Sequence, residues 1–141
     1  MSSGPREAGE TLAPVVRHVT REQVEAYARA ARDFNPIHLD ETFAAKTRFG
    51  RPIAHGMLIL AFVSEMLGSA YPGRWASGGR LRVRFVAPVF PGDTVETFGE
   101  VVGIGEVDGE PTIQLTVGCR KRDGADVVTG RASVPLGEAP G

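Results

Sequence analysis

Residues 56–70 of the chain read GMLILAFVSEMLGSA. Apolar side chains occupy nearly every position of this stretch, so a helix formed here is apolar on almost all of its faces. A helix of that kind is usually buried on all sides. The stretch therefore predicts a helix from Gly56 to about Ala70 at the centre of the molecule, with the rest of the chain packed around it.

The chain that follows this helix changes to a period of two. Residues 80–85 read RLRVRF, and this strict alternation is typical of a half-exposed strand. Further strand-like segments cover residues 94–104, 112–122 and 127–136. Asp108-Gly109 and Asp123-Gly124 are hairpin signals. We therefore predict four consecutive strands joined by tight turns, one of them a Pro-rich turn at residues 88–93.

The chain before the helix predicts shorter elements. Residues 12–19 are compatible with a short strand, and Thr20 with Gln23 forms a capping box for a helix that ends near Arg32. Asp40 is a candidate cap for another short helix. Because the helices and the antiparallel strands are segregated along the chain, the predicted class is α+β.

Length and composition exclude several classes of protein. The 141 residues fit one domain, and their 16 basic against 17 acidic side chains give no electrostatic case for binding nucleic acid or a membrane surface. No signal peptide is recognised, and the longest apolar run, residues 57–63, is far short of the roughly 20 residues that cross a bilayer. A single cysteine, Cys119, fits a reducing compartment, so a cytoplasmic location is expected.

The densest group of polar side chains is Asp33-Phe34-Asn35-Pro36-Ile37-His38, predicted to be a loop after a helix. A carboxylate and an imidazole close to one water can exchange protons near neutral pH. The alternative is an ordinary turn, in which Asp33 and Asn35 cap backbone amides and His38 lies on the surface.

A second group, Pro52-Ile53-Ala54-His55-Gly56-Met57, immediately precedes and opens the apolar helix. The first N–H groups of a helix have no internal partner and lie at its positive end, and Gly56 leaves its own N–H uncovered. That geometry suits an anionic oxygen. The alternative is a plain helix start, with His55 packed against its own turn.

Together, the Asp33–His38 group and the sequence Ala54-His55-Gly56-Met57 resemble the signature of the MaoC-like family, and more closely that of the (R)-specific enoyl-CoA hydratases. The layout of residues 20–136, with the Pro-Val-Phe-Pro-Gly-Asp turn, is similar as well. Many relatives carry a glycine before the aspartate, where this chain has Arg32.

The resemblance implies a single hot-dog domain, an antiparallel sheet wrapped around a long helix, paired as a homodimer. We expect this domain to span residues 12–137, between a flexible tail at residues 1–11 and a short tail at residues 138–141. It also implies reversible syn hydration of a trans-2-enoyl thioester, carried by coenzyme A or by an acyl-carrier protein. No metal and no redox cofactor are expected.

The resemblance further implies a role for each residue of the motif. Asp33 and His38 match the catalytic pair that holds one water, although the sequence does not say which is the acid and which the base. The Gly56 N–H matches the donor to the thioester carbonyl. Asn35 matches a residue that orders the loop. Three further residues are expected to support the site or to line its pocket: His55, Met57 and Ser64.

Two other readings of the function remain open. Hot-dog thioesterases often carry a catalytic carboxylate on the central helix, which makes Glu65 the rival catalytic residue. The favoured interpretation of Glu65 is a polar break in the helix, where one face reaches solvent. A non-catalytic acyl-binding subunit is the other, although the intact Asp33 and His38 pair argues against it.

Four further features favour structural interpretations. Arg80, Arg82 and Arg84 could contact phosphates or an acidic carrier, but a solvated sheet face is favoured. Tyr71 and Trp75 are expected either to gate an acyl tunnel or to pack over the core, and Cys119 is expected to be an inert buried thiol.

Overall fold

The structure, a computed structural model, describes residues 4–137 of the chain. The strands are β1 (Val16–His18), β2 (Arg80–Phe85), β3 (Thr94–Val107), β4 (Glu110–Lys121) and β5 (Asp126–Pro135). The helices are α1 (Arg21–Ala31), α2 (Pro36–Leu39), α3 (Glu41–Ala45), α4 (Gly56–Ala70) and α5 (Arg74–Gly78). All strand pairs are antiparallel, which confirms the predicted α+β class.

The strand order in the sheet is β1-β3-β4-β5-β2. The prediction of four strands joined by tight turns is therefore wrong at one connection, because β2 pairs with β5 and not with β3. Residues 86–93 instead cross from one side of the sheet to the other. Pro88 and Pro91 cannot donate hydrogen bonds to a tight hairpin, and the segment is tied elsewhere by a 2.7 Å hydrogen bond from the Ala54 N–H to the Val89 carbonyl.

Helix α4 packs across the inner face of this sheet. Its buried side chains are Leu58, Ile59, Phe62, Val63, Met66 and Leu67. They meet the alternating apolar face of β4, where Ile113, Leu115, Val117 and Cys119 are all buried as predicted. The expectation that α4 is buried on all sides is wrong for the single chain, since one sheet covers only one side of a helix. Met57, 58% exposed, and the exposed Ala61 and Glu65 lie on its open side.

Most of the local sequence signals are confirmed. Thr20 Oγ1 accepts a 3.0 Å hydrogen bond from the Gln23 N–H at the start of α1, but Gln23 Oε1 has no partner among the described residues, so only half of the predicted capping box forms. Asp40 Oδ1 accepts one from the Phe43 N–H at the start of α3. Asp108 and Gly109 both have positive φ, 50° and 82°, as a two-residue hairpin turn of the primed type requires.

Part of the predicted N-terminal tail lies along β3. The Gly9 N–H donates to the Val101 carbonyl at 2.9 Å, and Thr11 forms an isolated bridge with Glu100. Residues 1–3 and the predicted C-terminal tail, residues 138–141, lie outside the described residues. The domain boundaries thus stay a prediction.

Among residues 4–137, no helix combines the length and the apolarity needed to cross a membrane.

Candidate active site

The site begins at the end of α1, where Arg32 turns the chain. Arg32 has a φ of 55° and a ψ of 40°, the left-handed conformation that glycine adopts most easily at a helix end. The next N–H, of Asp33, donates to the Ala28 carbonyl at 3.0 Å. This turn explains why a glycine suits the position before the aspartate, and it fixes where the Asp33 side chain leaves α1.

Asp33 and Asn35 then organise a single turn of helix, α2, where the sequence analysis expected a loop. Asp33 Oδ1 accepts a hydrogen bond from the Asn35 N–H at 3.3 Å, and Asn35 Oδ1 accepts one from the Ile37 N–H at 3.1 Å. Pro36 occupies the first turn, where its missing N–H costs nothing. Asp33 and Asn35 therefore cap backbone N–H groups, as they would in an ordinary turn. In this site the capped turn also directs His38 back towards Asp33.

His38 is held inward by a neighbouring loop. Its Nδ1 lies 2.8 Å from the Ile53 carbonyl, which can only accept, so Nδ1 carries the proton and Nε2 keeps a free lone pair when the ring is neutral. Burial of the ring lowers the pKa of His38 below its usual value of 6.5, which outweighs the hydrogen bond to Ile53. His38 is thus a neutral base near pH 7.

His55 lies directly behind His38. The two rings are stacked with their centroids 3.7 Å apart and their planes 24° apart, and Tyr27 contacts the His55 ring at 4.8 Å. The Nε2 of His55 donates to the Asp33 carbonyl at 3.1 Å. Its Nδ1 has no hydrogen-bond partner in the described chain. With 2% exposure, His55 ties the Asp33 backbone to the His38 ring, which is a structural role in the site.

Asp33, His38 and His55 each place a side-chain or ring ligand atom within 4.8 Å of the others. Three such atoms can in principle hold a metal ion. Two ring nitrogens are already engaged, however, since Nδ1 of His38 and Nε2 of His55 both contact carbonyl oxygens. The atoms left without such a contact are the Asp33 carboxylate, the His38 Nε2 and the buried His55 Nδ1. The first two are suited to holding one water.

Gly56, the first residue of α4, lies beside a cavity of about 300 Å³. No side chain caps the first turn of α4. The Leu58 N–H bonds to the His55 carbonyl at 3.1 Å, whereas the Gly56 N–H has no hydrogen-bond partner among the described residues. A Cβ added at Gly56 would come within 2.9 Å of the Phe85 ring. Only glycine therefore leaves both the N–H and the ring of Phe85 in place.

The cavity beside Gly56 is mainly apolar. Its other lining residues are Arg48, Phe49, Ile53, Ala54, Ile59, Phe85, Val86, Ala87, Pro88, Val89 and Val127. Asp33 and His38 do not line it, but Ile53 does, and Ile53 holds His38 through its carbonyl. The cavity and the Asp33–His38 pair thus share one wall.

Three residues expected near the site are not brought there within the single chain. Met57 is exposed on the open side of α4. Ser64, about 12 Å along the helix axis from Gly56, accepts a 2.9 Å hydrogen bond from Trp75 Nε1. Glu65 is bound by Arg17 Nη2 in an exposed ion pair.

The remaining sequence candidates have structural roles. Tyr71 is fully buried, and its hydroxyl donates to the Pro5 carbonyl at 2.6 Å, so it packs over the core end. Cys119 is fully buried, as expected, and this burial raises the pKa of its thiol to about 12, which disfavours the reactive thiolate. Arg80, Arg82 and Arg84 are exposed on the sheet, as the favoured interpretation expected.

Sequence reasoning missed Tyr27 and Phe85 as parts of the site, and it gave Ile53 of the second group no role of its own. Tyr27 and Phe85 carried only the signal of an apolar helix stripe and an alternating strand. Ile53 acts through its backbone carbonyl, which no side-chain pattern reveals. Each reaches the site through tertiary packing.

Comparison with known proteins identifies a family and several relatives that are similar to this chain in sequence. Residues 5–122 match the model of a family described as "MaoC like domain". The (R)-specific enoyl-CoA hydratase of Aeromonas caviae is 42% identical over 114 residues, which are 81% of this chain and 84% of the relative. The 3-hydroxybutyryl-CoA dehydratase of Methylorubrum extorquens is 41% identical over 85 residues, which are 60% of this chain and 54% of that relative.

The fold is also similar to solved structures. The (R)-hydratase from A. caviae superposes with a TM-score of 0.77 at 38% identity, covering 93% of this chain and 97% of that one.

Proposed function

The chain belongs to the MaoC-like domain family with its hot-dog fold, and on that premise we propose how it acts as a hydro-lyase. It adds water reversibly to trans-2-enoyl thioesters and gives (R)-3-hydroxyacyl thioesters, like the hydratase to which it is 42% identical. The observation that carries the proposal is the Asp33–His38 pair, which shares a cavity wall with the Gly56 N–H.

His38 is proposed as the group that moves the proton. Its free Nε2 takes one proton from the bound water while the water oxygen bonds to Cβ of the enoyl thioester. The resulting imidazolium then gives a proton to Cα. In a syn addition, the hydroxyl and the proton reach the same face of the substrate, so a single group next to the water can serve both steps.

Asp33 is proposed to hold the water and to stabilise the imidazolium. A carboxylate accepts hydrogen bonds only, so it fixes the water with one lone pair aimed at Cβ. Its negative charge favours the protonated ring of His38 while the proton is in transit. These roles are supported by the short distances in the site, where one side-chain ligand atom from each of Asp33, His38 and His55 lies within 4.8 Å of the other two.

The N–H of Gly56 is proposed to donate to the thioester oxygen. When water adds at Cβ, negative charge develops on this oxygen as an enolate, and an N–H at a helix start opposes that charge. The bound thioester would then extend along the cavity of about 300 Å³.

The reaction consumes one water and transfers no electrons, so its stoichiometry calls for no redox cofactor. The chain is proposed to act, without a metal, on a thioester of coenzyme A or of an acyl-carrier protein, in line with the sequence expectation.

The thioesterase alternative has less support. Glu65 is engaged by Arg17 and lies nine residues into α4, about 13 Å from Gly56 along the helix axis. A catalytic carboxylate would need to face the thioester carbon. The site offers Asp33 and His38 there instead.

The test follows crotonyl-CoA with two readouts, loss of the enoyl absorbance and release of free thiol. We expect absorbance loss without thiol, in the wild type and equally in Glu65→Gln. Thiol release that disappears in Glu65→Gln would establish the thioesterase. No turnover of either kind, with crotonyl-CoA still bound, would establish a non-catalytic acyl-binding subunit.

A homodimer is part of the proposal. Strand β2 closes one edge of the sheet, and the large apolar side chains of Phe85 and Val86 beside it are 49% and 46% exposed. A sheet edge offers unpaired backbone groups to another chain, and a second copy would cover both features. The cytoplasmic location stays a prediction from the sequence.

A further inference from the structure

Residues 46–51 read KTRFGR, with three cations and no acidic residue. The whole chain carries a formal net charge of −1, so a segment with a charge of +3 is a local excess. We call Lys46, Arg48 and Arg51 the cationic rim. All three residues are exposed.

None of the three cations of the cationic rim forms an ion pair among the described residues. The ion pairs among the described residues use Arg17, Arg21, Arg80, Lys121 and Arg122. No carboxylate of the described chain lies within ion-pair distance of Lys46, Arg48 or Arg51. Asp93 interacts electrostatically with Arg51, but its carboxylate is already paired with Lys121 at 3.0 Å. Positive charges close together repel one another, and an anionic ligand would reduce that repulsion.

Two of these cations are held in place by aromatic rings. The Arg48 guanidinium lies over the Phe49 ring at 4.9 Å, and the Arg51 guanidinium lies over the Phe90 ring at 4.1 Å. A guanidinium stacked by its face keeps its in-plane N–H groups available for phosphate oxygens. Both side chains are therefore partly ordered before a ligand arrives, which reduces the entropy lost on binding.

The cationic rim reaches the cavity that contains Gly56 through Arg48. Arg48 and Phe49 line this cavity, and Phe90 directly follows Val89, which lines it too. A thioester held at Gly56 must lead its carrier out of the cavity. The exposed Arg48 marks one place where that exit carries positive charge.

We propose that Lys46, Arg48 and Arg51 bind the phosphate groups of coenzyme A and thereby make it the carrier of the substrate. This inference rests on the proposed function, since it concerns the non-reacting end of the same substrate. Coenzyme A brings a diphosphate and a 3′-phosphate, whereas the arm of an acyl-carrier protein brings one phosphodiester. Three cations in six residues match the more highly charged carrier.

The test compares KM for crotonyl-CoA with KM for crotonyl-pantetheine, which lacks all the phosphates. For the wild type, we expect KM to be at least about tenfold higher for crotonyl-pantetheine, the gain expected from one hydrogen bond to a charged group. In Arg48→Gln/Arg51→Gln this ratio should fall close to one. The pair Arg48→Lys/Arg51→Lys, which keeps the charge, should recover most of it.

The matched control is Arg29→Gln/Arg120→Gln, which removes two exposed cations, one on α1 and one on β4. Neither has an ion pair among the described residues, and Arg120 lies over the Phe98 ring at 4.2 Å, so the control loses the same charge away from the cavity and from the β2 edge. Its KM ratio should equal that of the wild type. If the control lowers the ratio and Arg48→Gln/Arg51→Gln leaves it unchanged, the phosphates bind elsewhere and the proposal is wrong.

Two further outcomes separate this inference from the proposed function. The wild type could hydrate both substrates with equal KM, or prefer a crotonyl-carrier protein regardless of Arg48 and Arg51. Either result would leave the proposed function standing and would overturn the inference. If the wild type hydrates none of them, the proposed function fails. In that case, calorimetry with coenzyme A itself tests the inference about the cationic rim. Binding of coenzyme A that is weakened about tenfold in Arg48→Gln/Arg51→Gln supports the inference, and equal or absent binding overturns it.

Discussion

At the residue scale, the site depends on how one imidazole ring is held. The Ile53 carbonyl fixes the proton of His38 on Nδ1, and the His55 ring stacks on its face at 3.7 Å. The first contact leaves Nε2 as a base, and the second prevents the ring from turning away. His55 therefore positions His38 without touching the reacting atoms.

The pH dependence of the reaction should follow the neutral form of His38. Because burial lowers the pKa of this ring, the acid limb of kcat/KM should have its midpoint below 6.5, the usual value for histidine. The same shift means that the unfolded chain binds this proton at higher pH than the folded chain does. Stability should then fall as pH drops below 6.5 towards the lower folded pKa. A midpoint above 6.5 would contradict this account of His38.

The N–H of Gly56 can be tested by removing the donor itself. Proline is tolerated at the first position of a helix, and His55 has a φ of −63° and a ψ of 135°, which suit a residue before proline. Gly56→Pro lacks the N–H, while Gly56→Ala keeps it and meets the Phe85 ring with the same Cβ. We expect kcat of Gly56→Pro to lie about 10²-fold or more below that of Gly56→Ala. Equal kcat values in the two variants would exclude this N–H as the donor.

At the scale of elements, α1 carries the Asp33–His38 pair through its end. Arg32 holds a left-handed backbone conformation there, which costs a residue with a Cβ about 1–2 kcal/mol. Replacing Arg32 by glycine should remove this conformational cost while the backbone keeps the same conformation.

We therefore expect Arg32→Gly to raise the free energy of unfolding by about 1 kcal/mol, measured by urea denaturation. The control Arg29→Gly, inside the helical part of α1, should lower it by about 1 kcal/mol. A loss of stability in both variants would show that Arg32 contributes more through its side chain than its backbone costs.

The elements that the sequence predicted well are those with local signals. Thr20 and Asp40 cap their helices through contacts three residues away, and Asp108-Gly109 turns within one hairpin. The α4 boundaries followed from the apolar run in the same way. Each of these signals acts within a few residues, so it is readable from a single sequence.

The elements that the sequence did not predict depend on distant partners. The pairing of β2 with β5 joins segments about 50 residues apart, and no local pattern distinguishes it from a hairpin with β3. The stack of His38 on His55 joins a ring of α2 to the residue before α4, and no local pattern indicates that the two rings meet. In the candidate site, therefore, the residue types were predictable from the motif, whereas the tautomer and the cavity wall were not.

At the scale of the whole molecule, one sheet and one long helix form the two layers, and the open side of each remains accessible. The exposed side of α4 and the β2 edge both need a neighbour if the hot-dog domain pairs. Multi-angle light scattering should give a mass near twice 15.0 kDa. A mass of one chain at every concentration would contradict the homodimer.

The measurement that tests the catalytic assignment most directly is kcat for crotonyl-CoA hydration in Asp33→Asn and His38→Asn. Asn at position 33 keeps an oxygen for the Asn35 N–H, and Asn at position 38 can still donate to the Ile53 carbonyl, so both variants should fold. We predict that each lowers kcat about 10²–10⁴-fold, with thermal unfolding close to that of the wild type. A folded variant of either kind that retains nearly full kcat would contradict the assignment of Asp33 and His38.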